Sequence, residues 1–152
     1  QDRITLAELH PQENAALEYA MSATQARVFK QDGFAMAQAQ TPPQPRRGVL
    51  LIDPSYEVKD DYDAIPKVIA KLHRKWNVGV IALWYPLLTS GLHGQMLAEL
   101  EAQNLPKTLR HEVKFPPARD GHRMIGSGMF IVNAPYGLED EAARLTKVFK
   151  AI

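Results

Sequence analysis

The segment Gly48-Val49-Leu50-Leu51-Ile52-Asp53-Pro54-Ser55-Tyr56 decides the fold prediction for this chain. Its first five residues are typical of a buried parallel strand, and an acid, a proline and an aromatic residue follow near its end. Open α/β sheets bind their ligands at the carboxyl ends of such strands. There the Asp53 carboxylate and the Pro54 carbonyl can accept hydrogen bonds from an amine, while Tyr56 offers a ring for stacking on a planar base. The segment therefore predicts a site for a base amine.

The composition is that of one globular domain and excludes several kinds of site. The chain has 152 residues, of which 45% are hydrophobic and 23% are charged. It contains no cysteine, which excludes disulfides, thiolate metal sites and a cysteine nucleophile. We find no membrane-spanning segment and no signal-peptide pattern. The lack of cysteine fits a cytoplasmic protein, which is the location we expect. The formal net charge is only +1, so nucleic-acid binding would have to come from local basic patches.

Strand-like and helix-like segments alternate along the chain. The predicted strands are 3–9, 26–30, 48–52, 78–84, 108–115 and 129–133, and the last two are close enough to pair antiparallel at a sheet edge. Helices are predicted in 11–24, in 61–76 beginning near Pro66, and around 92–100 and 138–148. This alternation predicts an α/β fold with a doubly wound sheet, in a single domain over residues 1–152.

Acidic residues follow three consecutive predicted strands. Glu8 stands where nucleotide-binding sheets hold ribose hydroxyls, although alone it is better explained as a helix-capping or solvated acid. Asp32 with Gly33 can turn the chain while accepting a bond from an adenine amine, although alone the pair is simply a turn. Together with Asp53, the three acids are expected to converge, because the carboxyl ends of the strands of a sheet lie close in space.

A basic cluster lies between Lys107 and Arg123. It comprises seven basic residues, and we assign phosphate contact to Arg119, His122 and Arg123, which share a loop. The full set is Lys107, Arg110, His111, Lys114, Arg119, His122 and Arg123. The alternative is a charged edge hairpin that stays solvated. Gly126-Ser127-Gly128 is predicted to give a flexible approach to the last strand.

Other candidate features are less decisive. The aromatic pair Trp84-Tyr85 is predicted at a strand end, where it either lines the same pocket or packs beneath a loop. No His, Asp or Glu cluster has metal-ligand spacing, and neither a P-loop nor a nucleophile elbow is present. We therefore expect no metal.

The motifs taken together resemble a known family. They occur in a fixed order: Glu8-Leu9-His10-Pro11, Asp32-Gly33-Phe34, Arg46-Arg47-Gly48, Leu51-Ile52-Asp53-Pro54-Ser55-Tyr56-Glu57, Ala82-Leu83-Trp84-Tyr85-Pro86 and Ser127-Gly128-Met129. In this order they resemble the bacterial large-subunit ribosomal RNA adenine-N6 methyltransferases of the RlmJ family, over nearly the whole chain. Proteins of this family have also been described as needed for using external DNA as a nutrient.

The resemblance implies a Rossmann-like S-adenosylmethionine fold and methyl transfer to an adenosine amine of 23S ribosomal RNA by a monomer. Under it, Glu8 holds the cofactor ribose, and Asp32 with Gly33 lies at the cofactor adenine. Asp53 contacts the cofactor and, together with the Pro54 carbonyl, orients the target amine. Tyr56 stacks on the flipped-out base. Ser55, Arg119, His122 and Arg123 contact the nucleic acid. No metal or membrane is implied.

Two departures from the family pattern bear on activity. Ser55 stands where adenine methyltransferases usually carry a second proline, but it leaves both acceptors in place, so we expect activity to survive. The sequence also lacks four features of the family. They are the glycine-rich cofactor loop, the strand that belongs to this loop, an N-terminal motif and a helical insertion. We therefore expect a chain starting at Gln1 to be incomplete in core and cofactor site and not to methylate alone. The alternatives are a DNA adenine methyltransferase and a nucleic-acid-binding module linked to uptake of external DNA.

Overall fold

The structure is a computed structural model that describes residues 2–56, 60–116 and 121–150. Its elements in chain order are β1 (Thr5–Ala7), α1 (Pro11–Met21), β2 (Arg27–Phe29), α2 (Gly33–Gln40), β3 (Val49–Ile52), α3 (Asp60–Lys75), β4 (Val80–Leu88), α4 (His93–Ala102), β5 (Leu109–Lys114), β6 (Met124–Val132) and α5 (Leu138–Phe149). The chain is thus a mixed α/β protein, as predicted. Its contacts divide it into two units, Gln1–Thr41 and Pro42–Ile152.

The first unit contains a short parallel sheet and two helices. β1 and β2 pair in parallel, with Leu6 opposite Val28. Pro11 opens α1, where its missing N–H is not needed for an intrahelical bond. The second helix, α2, was not predicted from the sequence, which suggested only a turn at Asp32-Gly33. Its short run of alanine and glutamine has no amphipathic pattern that would distinguish it from a loop.

The second unit is built on a four-stranded sheet of order β3-β4-β6-β5. β3 and β4 are parallel, whereas β6 pairs antiparallel with both β4 and β5. The predicted antiparallel pairing of the last two strands is therefore confirmed, with β5 as the edge strand of this sheet. The fully buried side chains of β4, Ile81, Leu83 and Tyr85, lie on one face of the sheet and form the centre of the core.

β3 is less buried than its sequence suggested. The apolar run predicted a strand covered on both faces, but the side chains of Val49 and Leu51 are 71% and 61% exposed. Ile52 is buried at the end of the strand, where it pairs with Leu83 of β4. The apolar side chains of β3 are therefore not buried on both faces of the strand. The prediction of a strand covered on both faces is wrong for the described residues.

Helix α3 begins earlier than predicted. The expectation that it starts near Pro66 is wrong, since the helix runs from Asp60 and carries Pro66 inside. Pro66 lacks the N–H that would bond the carbonyl of residue 62, which normally disfavours a helix interior. Here Ile65, Ile69 and Leu72 are at most 1% exposed, and the burial of this face outweighs the lost bond. Gln103 Nε2 also donates to the Pro66 carbonyl oxygen at 2.9 Å.

Two strands of the second unit are longer than predicted. β4 continues to Leu88, so Trp84 and Tyr85 lie inside the strand and not at its end. β6 begins at Met124, so Gly126-Ser127-Gly128 is part of a paired strand and the prediction of a flexible approach is wrong. A β-carbon at Gly128 would stand 2.3 Å from two atoms of the Tyr85 ring. The glycine is thus needed so that the buried tyrosine can pack on the strand.

The remaining helices pack near this sheet. α4 buries Met96, Leu97 and Leu100, in agreement with the predicted spacing. α5, predicted around 138–148, packs near β5, and its Leu145 and Val148 side chains are 42% and 50% exposed. No helix in the described residues is long and apolar enough to cross a membrane.

Candidate active site

The residues predicted to bind a base amine follow directly after β3. Asp53 is exposed, Pro54 half-buried, Ser55 exposed and Tyr56 half-buried. Because Ile52 pairs with Leu83, this segment leaves the sheet beside the middle of β4. The structure therefore places an accessible carboxylate at the carboxyl end of a parallel strand, in the position that the sequence predicted.

Tyr56 is held in a fixed position by β4 and α3. Its hydroxyl donates to the Trp84 carbonyl oxygen at 2.6 Å. Its ring centroid lies 4.9 Å from that of Tyr62 and 6.1 Å from that of Trp84. Burial, together with Tyr62 and Asp53 nearby, raises the pKa of the Tyr56 hydroxyl far above its usual value, so the group remains a neutral donor.

The backbone of Tyr56 adopts a conformation that side chains of its size rarely occupy. Its φ is 56°, in the left-handed region. For residues other than glycine this region costs about 1–2 kcal/mol, so surrounding contacts must hold a bulky residue there. The bond to the Trp84 carbonyl and the packing against Tyr62 supply such contacts. Strain of this kind is frequent where a side chain must be aimed at a ligand.

Trp84 links this site to β6. Its indole Nε1 donates to Ser127 Oγ at 2.7 Å, and it pairs in register with Met129. The sequence left open whether Trp84 and Tyr85 line a pocket or pack. The structure separates them, because adjacent residues of a strand point to opposite faces. Trp84 contacts Tyr56, whereas Tyr85 is fully buried on the other face.

Tyr85 ends in a chain of hydrogen bonds on its own face of the sheet. Its hydroxyl lies 2.9 Å from Glu112 Oε1, and Arg110 joins Glu112 at 2.7 Å and Glu101 at 3.0 Å. Partial burial raises the pKa of Glu112, but the hydrogen bonds from Arg110 and Tyr85 outweigh this and lower it below its usual value. Arg110 is therefore engaged within the protein, which removes it from the basic cluster that the sequence suggested for phosphate contact.

We expect the pH dependence of stability to report the Glu112 interactions. A carboxyl whose pKa is lowered by folding stabilises the protein above its unfolded pKa, near 4.5 for Glu112. This stabilisation is lost as the pH falls through the lower folded pKa. Glu112→Gln cannot titrate, so its free energy of unfolding should fall less between about pH 5 and pH 3. Urea unfolding at a series of pH values measures the free energy of unfolding of both proteins. If it falls equally with pH in the wild type and in Glu112→Gln, the role of Glu112 is contradicted.

Two of the three acids predicted at the cofactor, Glu8 and Asp32, lie in the first unit, at the carboxyl ends of β1 and β2. Glu8 Oε1 accepts the His10 N–H at 2.7 Å, just before α1. Asp32 caps α2, and its Oδ1 accepts the Ala35 N–H at 2.7 Å; Gly33 is the first residue of that helix. Each carboxylate is thus oriented by a backbone bond on one oxygen and keeps a second oxygen as an acceptor. The capping alternative for Glu8 is realised in part, in a form compatible with ligand binding.

The predicted phosphate contacts are only partly described by the structure. Arg119 lies outside the described residues. His122 is half-buried, and its Nδ1 has no hydrogen-bond partner among the described residues. Arg123 is exposed, and its carbonyl oxygen accepts the Thr89 N–H at 3.0 Å.

The position of Arg123 relative to Asp53 follows from the strand register. β6 begins where β4 ends, with Met124 opposite Leu88, so Arg123 lies at the same end of the sheet as Asp53. Leu88 is five residue steps along β4 from Leu83, which lies beside the end of β3, and this corresponds to about 17 Å. Arg123 and Asp53 are therefore far enough apart to contact different parts of an extended ligand.

Tyr62 is the residue of this site that sequence reasoning missed. It is 5% exposed, and its buried hydroxyl has no hydrogen-bond partner among the described residues. Its position three residues before Ile65 places it on the apolar face of α3, and this spacing is the signal that could have found it.

Within the described part of the chain, no group of three or more His, Cys, Asp or Glu side chains is arranged to hold a metal ion.

Comparisons with known proteins identify relatives of this chain. The chain is 39% identical over 142 residues to Ribosomal RNA large subunit methyltransferase J of Escherichia coli. The aligned region covers 93% of this chain and 51% of that protein. The protein of the same name from Haemophilus influenzae is 38% identical over 142 residues, covering 93% of this chain and 50% of that protein. The chain thus spans about half the length of these curated relatives.

A solved structure and a family model extend the comparison. The crystal structure of a protein from Legionella pneumophila matches with a TM-score of 0.85 and 31% sequence identity, covering 97% of this chain and 55% of that one. The family model described as "Ribosomal RNA large subunit methyltransferase D, RlmJ" matches residues 1–151. The motifs, their order along the fold and the match over nearly every residue lead to one conclusion: the chain belongs to the RlmJ family.

Proposed function

We propose that this chain carries the catalytic groups of an S-adenosylmethionine-dependent methyltransferase that acts on the N6 amine of an adenosine in 23S ribosomal RNA. The observation that carries the proposal is the segment after β3. It presents the exposed Asp53 carboxylate and the Pro54 carbonyl, and after Ser55 a tyrosine ring held in place. Two acceptors and a planar ring are what an extruded adenine requires. The names of the relatives from two bacteria support ribosomal RNA as the substrate.

In this proposal Asp53 and Pro54 orient the target amine. The two N–H groups of adenine N6 donate to the Asp53 carboxylate and the Pro54 carbonyl, which fixes the direction of the nitrogen lone pair. The negative carboxylate would also stabilise the positive charge that develops on the nitrogen as the methyl group passes to it from the sulfonium sulfur, which leaves as a neutral thioether; the methylated amine then loses a proton. Tyr56 stacks on the base and compensates for the stacking lost on extrusion. The role of these residues is therefore positioning and charge stabilisation.

The acids of the first unit fit the polar groups of the proposed cofactor. S-adenosylmethionine supplies an electrophilic methyl group on a sulfonium when it is bound. Glu8, with one oxygen already bonded to the His10 N–H, keeps a second oxygen for ribose hydroxyls. Asp32 likewise keeps an oxygen for the adenine amine, and Gly33 beside it carries no side chain that would obstruct the base. A β-carbon at Gly33 would meet nothing within 4 Å, so the space beside it is open.

The loop before β6 is the proposed contact for RNA phosphates. Arg123 is exposed at the end of the sheet where Asp53 lies, and His122 and Arg119 precede it in the chain. Ser55, exposed between Pro54 and Tyr56, is the proposed contact with the nucleotide that carries the target base. Phosphate contacts of this kind set affinity without reading sequence, and their contribution weakens as salt rises.

A Rossmann-like sheet is the fold that we propose for the catalytic domain. Its support is the parallel pairing of β1 with β2 and of β3 with β4, the acids that follow β1, β2 and β3, and the antiparallel β5 and β6. Parallel strands with helical connections are typical of sheets that bind nucleotides at their carboxyl ends.

The test is methyl transfer by the natural full-length chain that contains this sequence. Tritium-labelled S-adenosylmethionine is incubated with unmodified 23S ribosomal RNA and, separately, with DNA, and the modified nucleoside is identified by mass spectrometry. Label in N6-methyladenosine from RNA is the expected result. Label from DNA alone would favour a DNA methyltransferase. Salt-sensitive nucleic-acid binding without cofactor binding would instead favour the binding module linked to external DNA.

A further inference from the structure

We propose that Tyr62 is a positioning residue, whose ring, together with the Trp84 carbonyl, holds the ring of Tyr56 at the inclination needed for stacking on the target base. This inference rests on the proposed function for its consequence in catalysis. It concerns only residues of the second unit and the contacts between them.

Tyr56 is restrained at two points. Its hydroxyl is bonded to the Trp84 carbonyl, which belongs to the central strand β4 and does not depend on a side-chain rotamer. Its ring packs at 42° to the ring of Tyr62 with centroids 4.9 Å apart, a separation typical of favourable aromatic pairs. A ring fixed at its tip and on one face loses little further conformational entropy when a base stacks on it.

The supports of Tyr56 are themselves fixed. Tyr62 is 5% exposed in α3, on the face that buries Ile65 and Ile69. Trp84 is fixed by its bond to Ser127 of β6 in addition to the strand pairing. Rigid elements on both sides therefore determine where Tyr56 lies, although its own backbone has the unfavourable φ of 56°. Preorganisation by residues that do not touch the substrate is how precise sites are usually supported.

The buried hydroxyl of Tyr62 makes the role of its ring separable from that of its polar group. The oxygen has no partner among the described residues, and a buried polar group without a partner destabilises a protein. Tyr62→Phe removes this group and keeps the ring. We expect Tyr62→Phe to be at least as stable as the wild type and to keep Tyr56 in place, whereas Tyr62→Leu removes the ring and releases Tyr56.

The first experiment measures the position of Tyr56 without using activity. In the natural full-length chain with labelled tyrosine, nuclear Overhauser contacts join the Tyr56 ring to Trp84. These contacts should persist in Tyr62→Phe and be lost in Tyr62→Leu. Their survival in Tyr62→Leu would overturn the proposal. Because no methyl transfer is involved, this result decides the matter even if the proposed function fails.

The second experiment measures the consequence for catalysis with unmodified 23S ribosomal RNA as the probe. Tyr62→Leu should lower the single-turnover rate at saturating RNA by about 10-fold, the scale of a lost base–aromatic stack. RNA affinity should be unchanged, because phosphate contacts supply most of it. Tyr62→Phe should retain the rate.

The control for a merely structural effect is Leu72→Ala, which removes a buried side chain of the same helix away from Tyr56. Leu72→Ala should lose stability and keep the rate per folded molecule. An equal loss of rate in Leu72→Ala and Tyr62→Leu would overturn the positioning role. Absence of transfer in the wild type would instead reject the proposed function, leaving the nuclear Overhauser result to decide the position of Tyr56.

Discussion

Replacing Asp53 with alanine is expected to lower the rate of methyl transfer by about 10²–10³-fold, the usual effect of removing one preorganised polar group that acts in the transition state. Asp53 is the only charged side chain of the segment 52–56, so no neighbour in that segment can replace it. Asp53→Asn retains one acceptor oxygen but loses the charge, and we expect its rate to lie between those of the wild type and the alanine variant. Single-turnover transfer to unmodified 23S ribosomal RNA gives both rates.

Stability should be almost unaffected by this substitution. The Asp53 side chain is exposed, and substitutions at such positions usually change the free energy of unfolding by no more than about 0.5 kcal/mol. Asp63→Asn, which removes an exposed charge from the first turn of α3, is the matched control and should transfer methyl groups at the wild-type rate. If the wild type and Asp53→Ala transfer at the same rate, the catalytic assignment of this segment is wrong.

Replacing Gly128 with alanine is expected to destabilise the second unit by about 3 kcal/mol, within the range for overpacking a tight core. The added β-carbon would lie 2.3 Å from Cε2 and Cζ of Tyr85 and 2.6 Å from its hydroxyl oxygen. Tyr85 cannot move aside easily, because its ring is fully buried and its hydroxyl is bonded to Glu112. Denaturant unfolding of the natural full-length chain, followed by circular dichroism, measures the loss.

A second glycine provides the control for the change from glycine to alanine. Gly94 lies in α4, and a β-carbon there would meet nothing within 4 Å. Gly94→Ala should therefore stabilise the protein by about 0.4–1 kcal/mol, because alanine at a position that tolerates it lowers the conformational entropy of the unfolded chain. The loss in Gly128→Ala should also be smaller when Tyr85 is replaced by alanine, since the two residues contact each other. A Gly128→Ala variant as stable as the wild type would contradict the close packing of Tyr85 on β6.

The strands and most helices were predictable because their patterns are local. Apolar runs located all six strands to within a few residues, and the period of α3 and α4 located their buried faces. Their ends were less predictable, as the extension of β4 and β6 shows. Those strands continue because each pairs with the other along nearly its whole length, a contact between residues far apart in the chain that no local pattern encodes.

The site was predictable only as a set of residues. The order of motifs identified Asp53, Pro54 and Tyr56 together with the family, because these residues are consecutive in the chain. Tyr62 was missed, although its spacing on α3 would have placed it in the core, since nothing in the sequence shows that this part of the core touches Tyr56. The α2 helix was missed because its run of alanine and glutamine has no amphipathic pattern, although the Asp32 side chain caps its first turn.

The sequence by itself thus determined the mixture of strands and helices, the family and the position of Asp53 at the end of β3, all of which follow from periodicity and short motifs. Only the tertiary structure decided that Tyr56 donates to the Trp84 carbonyl, that Tyr62 packs on its ring and that Gly128 makes room for Tyr85. The physical reason is that these contacts join separate strands and helices. Their geometry depends on how the folded chain packs side chains at close range, which is set by the whole core and not by neighbouring residues.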